Sequence, residues 1–84
     1  MELRLIDEIM TRLLNENLLG EIKYICVNAV TKKELLDDFS EEFSAEYEEL
    51  GRPANRQDLE EHLRLKIMID EHVKDHRYIL LSKT

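Results

Sequence analysis

The chain has 84 residues, of which 43% are hydrophobic and 37% charged, and its formal net charge at pH 7 is −7. A chain of this length is expected to fold as one domain, 1–84, around a thin core. The single cysteine excludes an internal disulfide, and no apolar stretch reaches the roughly 18 residues of a membrane-spanning helix. Because the first residues also lack the pattern of a secretory signal, we expect a cytoplasmic protein.

The first two elements are predicted from the spacing of their apolar residues. Leu3, Ile6 and Met10 follow the three- and four-residue spacing of an amphipathic helix, which predicts a helix over 2–16. The segment 21–28 is rich in β-branched and aromatic residues, which favours a strand. A helical period also fits this short segment, so the strand is only the preferred of two interpretations.

A long helix over 32–50 is the clearest prediction. Thr31 and Glu34 have the spacing of a capping box at its start, and Gly51 followed by Pro53 is typical of a helix end. Apolar residues recur along one arc of this helix, namely Leu35, Leu36, Phe39, Phe43, Tyr47 and Leu50. We expect the aromatic members of this arc to be buried against the first helix.

The last part of the chain is predicted to contain one short helix and two strands. The helix runs from about 54 to 61 and is capped by Asn55. Within 62–70, four apolar residues alternate with polar ones as in a half-buried strand: Leu63, Leu65, Ile67 and Ile69. A second strand is predicted over 77–82, and the polar residues between the two strands would form a hairpin loop.

These elements predict an α+β fold, with two to three helices packed on a small two- or three-stranded antiparallel sheet. The order helix, strand, helix, helix, strand, strand is similar to that of a winged-helix domain, in which a hairpin follows a helix-turn-helix. The short helix before the predicted hairpin is acidic, which is not typical of a helix that reads DNA. The resemblance therefore concerns topology and does not imply DNA binding.

The helix over 32–50 also carries the main candidate site. Opposite its apolar arc, a helical wheel places seven carboxylates: Glu34, Asp37, Asp38, Glu41, Glu42, Glu48 and Glu49. Within the helix, none of them is followed by Lys or Arg four residues later, the spacing that would neutralise it. Carboxylates that recur every helical turn, about 5.4 Å, can compete with phosphates for Lys and Arg. The pattern predicts a docking surface for a basic protein; the alternative is a solvated face that only keeps the chain dissolved.

The histidines and the cysteine give weaker signals. His72 and His76 are four residues apart, a spacing at which two histidines on a helix can share a zinc ion. The predicted hairpin loop removes the meaning of that spacing, so we expect no metal. Cys26 lies in an apolar run without a nearby base, which favours a buried core thiol over a reactive one.

The basic residues near the C-terminus are a further candidate. Arg64 and Lys66 would share the outer face of one strand and Arg77 would lie across from them, as in a wing that touches phosphate. Acidic neighbours surround these residues and the whole chain is acidic, so direct binding of nucleic acid is not expected. The sequence has no Gly-rich phosphate loop or nucleophile elbow, and we expect neither an enzyme nor a cofactor.

Together these features predict a small acidic interaction module, an inhibitor or regulator of a basic, nucleic-acid-handling protein. In size and charge the chain is similar to small phage-encoded inhibitors and to antitoxin- or immunity-type proteins, although no residue motif carries that similarity. Three alternatives remain: a structural subunit or homodimer joined through open strand edges, a winged-helix DNA-binding regulator, and a metal-dependent module.

Overall fold

The computed structural model describes residues 4–18 and 20–82. The described residues form four helices and three strands, in the order α1 (Leu5–Asn15), β1 (Ile22–Val27), α2 (Ala29–Glu42), α3 (Ser44–Leu50), α4 (Arg56–Leu63), β2 (Lys66–Ile69) and β3 (Ile79–Ser82). The helices pack on the sheet, which confirms the predicted α+β fold. The segment 21–28 contains the strand β1, which is the preferred of the two interpretations of its sequence. Residues 2 and 3 of the predicted first helix lie outside the described residues.

The sheet is mixed rather than antiparallel. Its order is β2-β1-β3, and β1 pairs with β2 in parallel and with β3 antiparallel. Ile25 of β1 lies between Ile67 and Leu80 in the register. The predicted hairpin between 62–70 and 77–82 is therefore wrong, because the apolar strand β1 occupies the centre and separates the two. A winged-helix domain would need that hairpin, so the topological resemblance does not extend to the sheet.

The apolar alternation before β2 has a different origin from the one predicted. Leu63 is the last residue of α4, and Leu65 lies in the turn that follows it. Both side chains are buried although neither belongs to the strand, which begins at Lys66. Helix end, turn and strand place Leu63, Leu65 and Ile67 in the core, whereas Ile69 is 45% exposed. Sequence spacing cannot separate that pattern from a continuous strand.

The predicted helix over 32–50 is two helices. The chain leaves helical geometry at Phe43, which has φ −109° and ψ 27°, and α3 then runs to Gly51. Gly51 adopts φ 72°, the left-handed conformation expected of a glycine at a helix end. Because the helix is interrupted at Phe43, the predicted apolar arc does not extend to Leu50, which is 63% exposed.

The start of α2 also differs from the prediction. Asn28 caps the helix, since its Oδ1 accepts a hydrogen bond from the Thr31 N–H at 2.8 Å. The predicted capping box of Thr31 and Glu34 does not form, because Thr31 already lies within the helix. The Thr31 hydroxyl oxygen instead accepts from the His76 N–H at 3.0 Å, which ties α2 to the loop before β3. The predicted cap of α4 is confirmed: Asn55 and Asp58 form a reciprocal capping box.

The core lies between the helices and one face of the sheet. Its buried members come from α1, α2, α4, β1, β2 and the turn before β2: Leu5, Ile6, Ile9, Leu13, Ile25, Val27, Leu35, Phe39, Leu59, Leu63, Leu65 and Ile67. Phe39 is 4% exposed, whereas Phe43 and Tyr47 are half-buried. The rings of Phe39 and Phe43 each lie 5.2 Å from the His62 ring of α4, so this aromatic cluster joins α2 to α4.

Candidate functional site

The acidic surface comprises the seven predicted carboxylates, Glu34, Asp37, Asp38, Glu41, Glu42, Glu48 and Glu49. The structure places five of them on α2 and the last two on α3. They do not lie on one continuous helix, because helical geometry is interrupted at Phe43. The surface is therefore a stripe along α2 followed by a separate pair of carboxylates on α3.

Two carboxylates of the acidic surface have side-chain partners that the sequence did not reveal. Arg4 Nη2 lies 3.1 Å from Glu41 Oε1, and His76 Nδ1 lies 2.7 Å from Glu34 Oε1. Both partners are distant in sequence, so no local spacing rule could have found them. These pairs are largely exposed, and pairs of that kind contribute little to stability. Their effect is to fix the positions of two carboxylates at the edges of the stripe.

Four other members of the acidic surface remain free to meet a partner. Asp37, Glu42, Glu48 and Glu49 are exposed, and none has an ion-pair partner within residues 4–18 and 20–82. Their charges are compensated only by solvent and dissolved ions. A basic partner could replace that solvent without first breaking an internal salt bridge.

Asp38 lies on α2 between Glu34 and Glu41 and is half-buried. Burial raises the pKa of this half-buried carboxyl, the positive charge of Arg4 lowers it, and the charges of Glu34 and Glu41 raise it again. The net direction is upward, because burial outweighs the attraction of Arg4. A raised pKa means that the ionised form of Asp38 is less favourable here than in water.

The histidines and Cys26 show no sign of a reactive or metal site. His72 contacts Asp70 at 3.2 Å, His76 contacts Glu34, and His62 packs in the aromatic cluster. Among the described residues, no group of three or more His, Cys, Asp or Glu side chains could hold a metal ion. Cys26 is a free, buried thiol, as predicted.

The basic residues of the C-terminal third do not form the predicted wing. Arg64 follows α4 with φ 60°, and Lys66 begins β2. Both line a groove with Lys23, while Arg77 borders a different one with Arg12. The groove that holds Arg64 also contains Glu60 and Glu61, and it lies at the C-terminal end of α4, where positive side chains are favourable without any ligand.

A second surface, which the sequence analysis did not identify, is the open sheet face. Strand alternation and the pairing register place six side chains on the side of the sheet away from the core: Tyr24, Cys26, Lys66, Met68, Ile79 and Leu81. Met68 is 46% exposed, Ile79 48% and Leu81 39%, and none of the six belongs to the core cluster. The face is apolar apart from Lys66, and at one end Tyr24 and Lys66 border a groove that α4 lines with Glu60 and Glu61.

Comparison with known proteins does not assign either surface to a function. The chain matches no protein-family model, and searches of curated proteins and of solved structures give no match either. None of the helices in the described part of the chain has the length and hydropathy needed to cross a membrane.

Proposed function

We propose that this protein is a small acidic interaction module that inhibits or regulates a basic, nucleic-acid-handling protein in the cytoplasm. The observation that carries the proposal is the set of four exposed, unpaired carboxylates, Asp37, Glu42, Glu48 and Glu49, beside a stripe whose central Asp38 has a raised pKa. The free thiol of Cys26 is in keeping with a reducing compartment. The protein would act without a cofactor.

The proposed mechanism is competition for positive charge. Lys and Arg side chains that would contact phosphates meet carboxylates instead, and the acidic surface attracts them over roughly a Debye length, about 10 Å at 0.1 M salt. Such steering raises the association rate more than it raises the affinity of the final complex. Binding of the partner's basic surface then excludes nucleic acid from the same place.

The test is capture of the partner from a lysate of the source cells by three forms of the immobilised chain. One is the wild type and one carries Asp37→Lys with Glu42→Lys in the acidic surface. The matched control carries Glu21→Lys with Glu71→Lys, two exposed acids outside that surface. Each double reversal removes two negative charges and adds two positive ones, which raises the formal net charge from −7 to −3, so the two variants differ only in where the charge changes.

We expect the wild type and the control to retain the same basic protein, and the acidic-surface variant to lose it. Raising the salt from 0.1 M to 1 M, which shortens the Debye length to about 3 Å, should release the partner from both. Equal capture by both double variants would show that the acidic surface is not the binding site. Equal loss from both would show that only the net charge matters.

A second candidate function, a homodimer, is favoured by the open sheet face. Met68, Ile79 and Leu81 expose apolar side chains on one side of a three-stranded sheet, and contiguous exposed apolar surface on a small protein often marks an interface. No carboxylate lies on any of the three strands, so two copies could approach face to face without direct repulsion between acidic side chains.

Sedimentation velocity tests the homodimer with a matched pair of variants. Met68→Lys places a charge on the open sheet face, whereas Leu14→Lys places one at an exposed apolar residue of α1. We expect the wild type and Leu14→Lys to sediment above the 10.0 kDa monomer at high concentration, and Met68→Lys to remain monomeric. A wild type that sediments as a monomer throughout would rule out the dimer.

A further inference from the structure

A groove lies beside the acidic surface, at the junction of α2, α3 and the loop that leads to α4. Its volume is about 400 Å³, and its walls are Ser40, Ser44, Tyr47, Glu48, Gly51, Arg52, Pro53 and Ala54. The volume is within the range of small ligand sites, about 300–1,000 Å³. Its one carboxylate wall residue, Glu48, also belongs to the acidic surface.

The wall formed by the loop is held rigidly in place. The Arg52 guanidinium donates two hydrogen bonds to Asp58, at 2.8 Å and 3.2 Å, and its Cζ lies 5.2 Å from the centre of the Tyr47 ring. The Asn55–Asp58 capping box fixes the end of the same loop. A site that is already formed loses little conformational entropy when it binds.

Acidic residues continue from the groove along α2. Asp37 precedes Ser40 by three residues and Glu41 precedes Ser44 by three residues, a spacing of about one helical turn. The two serines therefore border carboxylates of the stripe. Arg52, the positive residue of the wall, is already engaged by Asp58. An occupant would thus meet an apolar and aromatic floor with negative charge at its rim.

We propose that this groove receives one apolar or aromatic side chain of the basic partner, flanked by Lys or Arg residues that contact Glu48 and the stripe along α2. This inference rests on the proposed function and adds to it a specific anchor. Charge complementarity identifies the flanking residues, and the Tyr47 ring with Pro53 and Ala54 provides the apolar contact for the anchor. Anchors of this kind carry much of the binding energy in protein interfaces.

The probe is an 11-residue lysine-rich peptide with one central tryptophan, compared with the same peptide carrying alanine there. The protein contains no tryptophan, so all tryptophan fluorescence belongs to the peptide. We expect a blue shift of the emission on binding. We also expect the tryptophan peptide to bind about tenfold more tightly, which corresponds to about 1.4 kcal/mol.

Two groove-filling variants and one control locate the anchor. Ser44→Phe and Ser40→Phe fill the groove from two adjacent positions, and both should abolish the blue shift and the preference for tryptophan. Ala45→Phe, at the next and exposed residue of α3, should retain both. Circular dichroism of each variant tests whether it is folded. If one of the two groove-filling variants fails to fold, the other still tests the anchor.

The outcomes separate this inference from the proposed function. Salt-sensitive binding of both peptides with equal affinity and no blue shift would overturn the anchor while supporting the acidic surface. A blue shift that survives both filling variants would place the tryptophan elsewhere and would also overturn the anchor. Failure of both peptides to bind at low salt would overturn the anchor and the proposed function together.

Discussion

Two aspartates on neighbouring helices acquire opposite electrostatic roles from their surroundings. Hydrogen bonds from the Arg52 side chain, and then from the Asn55 backbone N–H, hold the pKa of Asp58 below its ordinary value. Burial, reinforced by nearby carboxylates, raises the pKa of Asp38 despite the opposing charge of Arg4. Ionised Asp58 therefore stabilises the fold, whereas ionised Asp38 opposes it.

The pH dependence of two amide variants follows from these directions. The contribution of Asp58 is present above the pKa of the unfolded chain, about 3.9, and is lost as the pH falls through its lower folded pKa. Protonated Asp38 adds to the free energy of unfolding. This contribution is fully present below about pH 3.9 and is lost as the pH rises through the raised folded pKa of Asp38. At pH 7 we expect Asp58→Asn to lower the melting temperature and Asp38→Asn to raise it.

Thermal unfolding followed by circular dichroism at pH 7 and pH 2.5 measures both effects. Each difference from the wild type should shrink at pH 2.5, because Asp38 is then protonated and the contribution of Asp58 decreases as the pH falls below about 3.9. A destabilising Asp38→Asn at pH 7 would show that the attraction of Asp38 to Arg4 outweighs the burial and repulsion that raise its pKa.

Phe39 is the residue whose role the sequence predicts best. Its place on the apolar arc identifies it as a core residue, and the structure buries it against Phe43, at a ring distance of 5.0 Å, and against His62. Replacement of a buried phenylalanine by alanine costs about 3–5 kcal/mol, a large part of the stability of a small domain. Tyr47→Ala should cost clearly less, because Tyr47 is half-buried. Urea unfolding at pH 7 compares the two, and similar midpoints would contradict this account of the cluster.

At the scale of elements, local signals predicted the helical segments and favoured the first strand, but they did not predict the interruption between α2 and α3 at Phe43. Asn55 as a cap and Gly51 as a helix end are read directly from the sequence, because each acts on backbone groups only a few residues away. Strand pairing could not be predicted in this way. The partners Tyr24 and Lys66 in the parallel pair are joined through three intervening helices, and alternation at either strand carries no information about its neighbour.

The acidic surface was predictable as a set of residues but not as a shape. Its members follow from their helical spacing in the sequence, whereas the separation of α3 from α2 depends on the conformation of Phe43. The contacts of Arg4 with Glu41 and of His76 with Glu34 arise from tertiary packing. The open sheet face was missed for the same reason, since the hairpin that was expected instead would have left β1 at an edge or unpaired.

The strand order predicts a pattern of amide hydrogen exchange. Residues 24–26 of β1 are paired with β2 on one side and with β3 on the other, and their successive N–H groups point alternately to the two neighbours, so all three amides should be protected. In the edge strand β3 only every second N–H faces β1, so protection there should alternate. In β2 the Ile67 N–H, which faces away from β1, donates to Glu60 Oε2 at 2.7 Å and should also be protected. Exchange followed by NMR tests this order. Continuous protection along β3 would mean that its outer edge is paired, as in a dimer formed by edge pairing.

At the scale of the whole molecule, carboxylates are distributed unevenly between the helices and the sheet. The acidic surface lies on the helix layer, while the strands carry no carboxylate and present the open sheet face on the other side. A net charge of −7 disfavours the compact state through self-repulsion. The repulsion should be strongest where carboxylates are close together and unpaired, which is along α2.

The dependence of stability on salt separates this local repulsion from the effect of net charge. We expect the melting temperature of the wild type to rise by a few degrees from 10 mM to 300 mM NaCl, because salt screens exposed charges. Asp37→Lys with Glu42→Lys should melt above the wild type in 10 mM salt, since the new lysines lie one turn from Glu34, Asp38 and other carboxylates. Added salt should then raise the melting temperature of this variant less than that of the wild type.

Glu21→Lys with Glu71→Lys, which gives the same net charge, should change the melting temperature less at low salt. Equal stabilisation by the two pairs would show that net charge, and not the crowding of carboxylates on α2, governs the electrostatics of the fold.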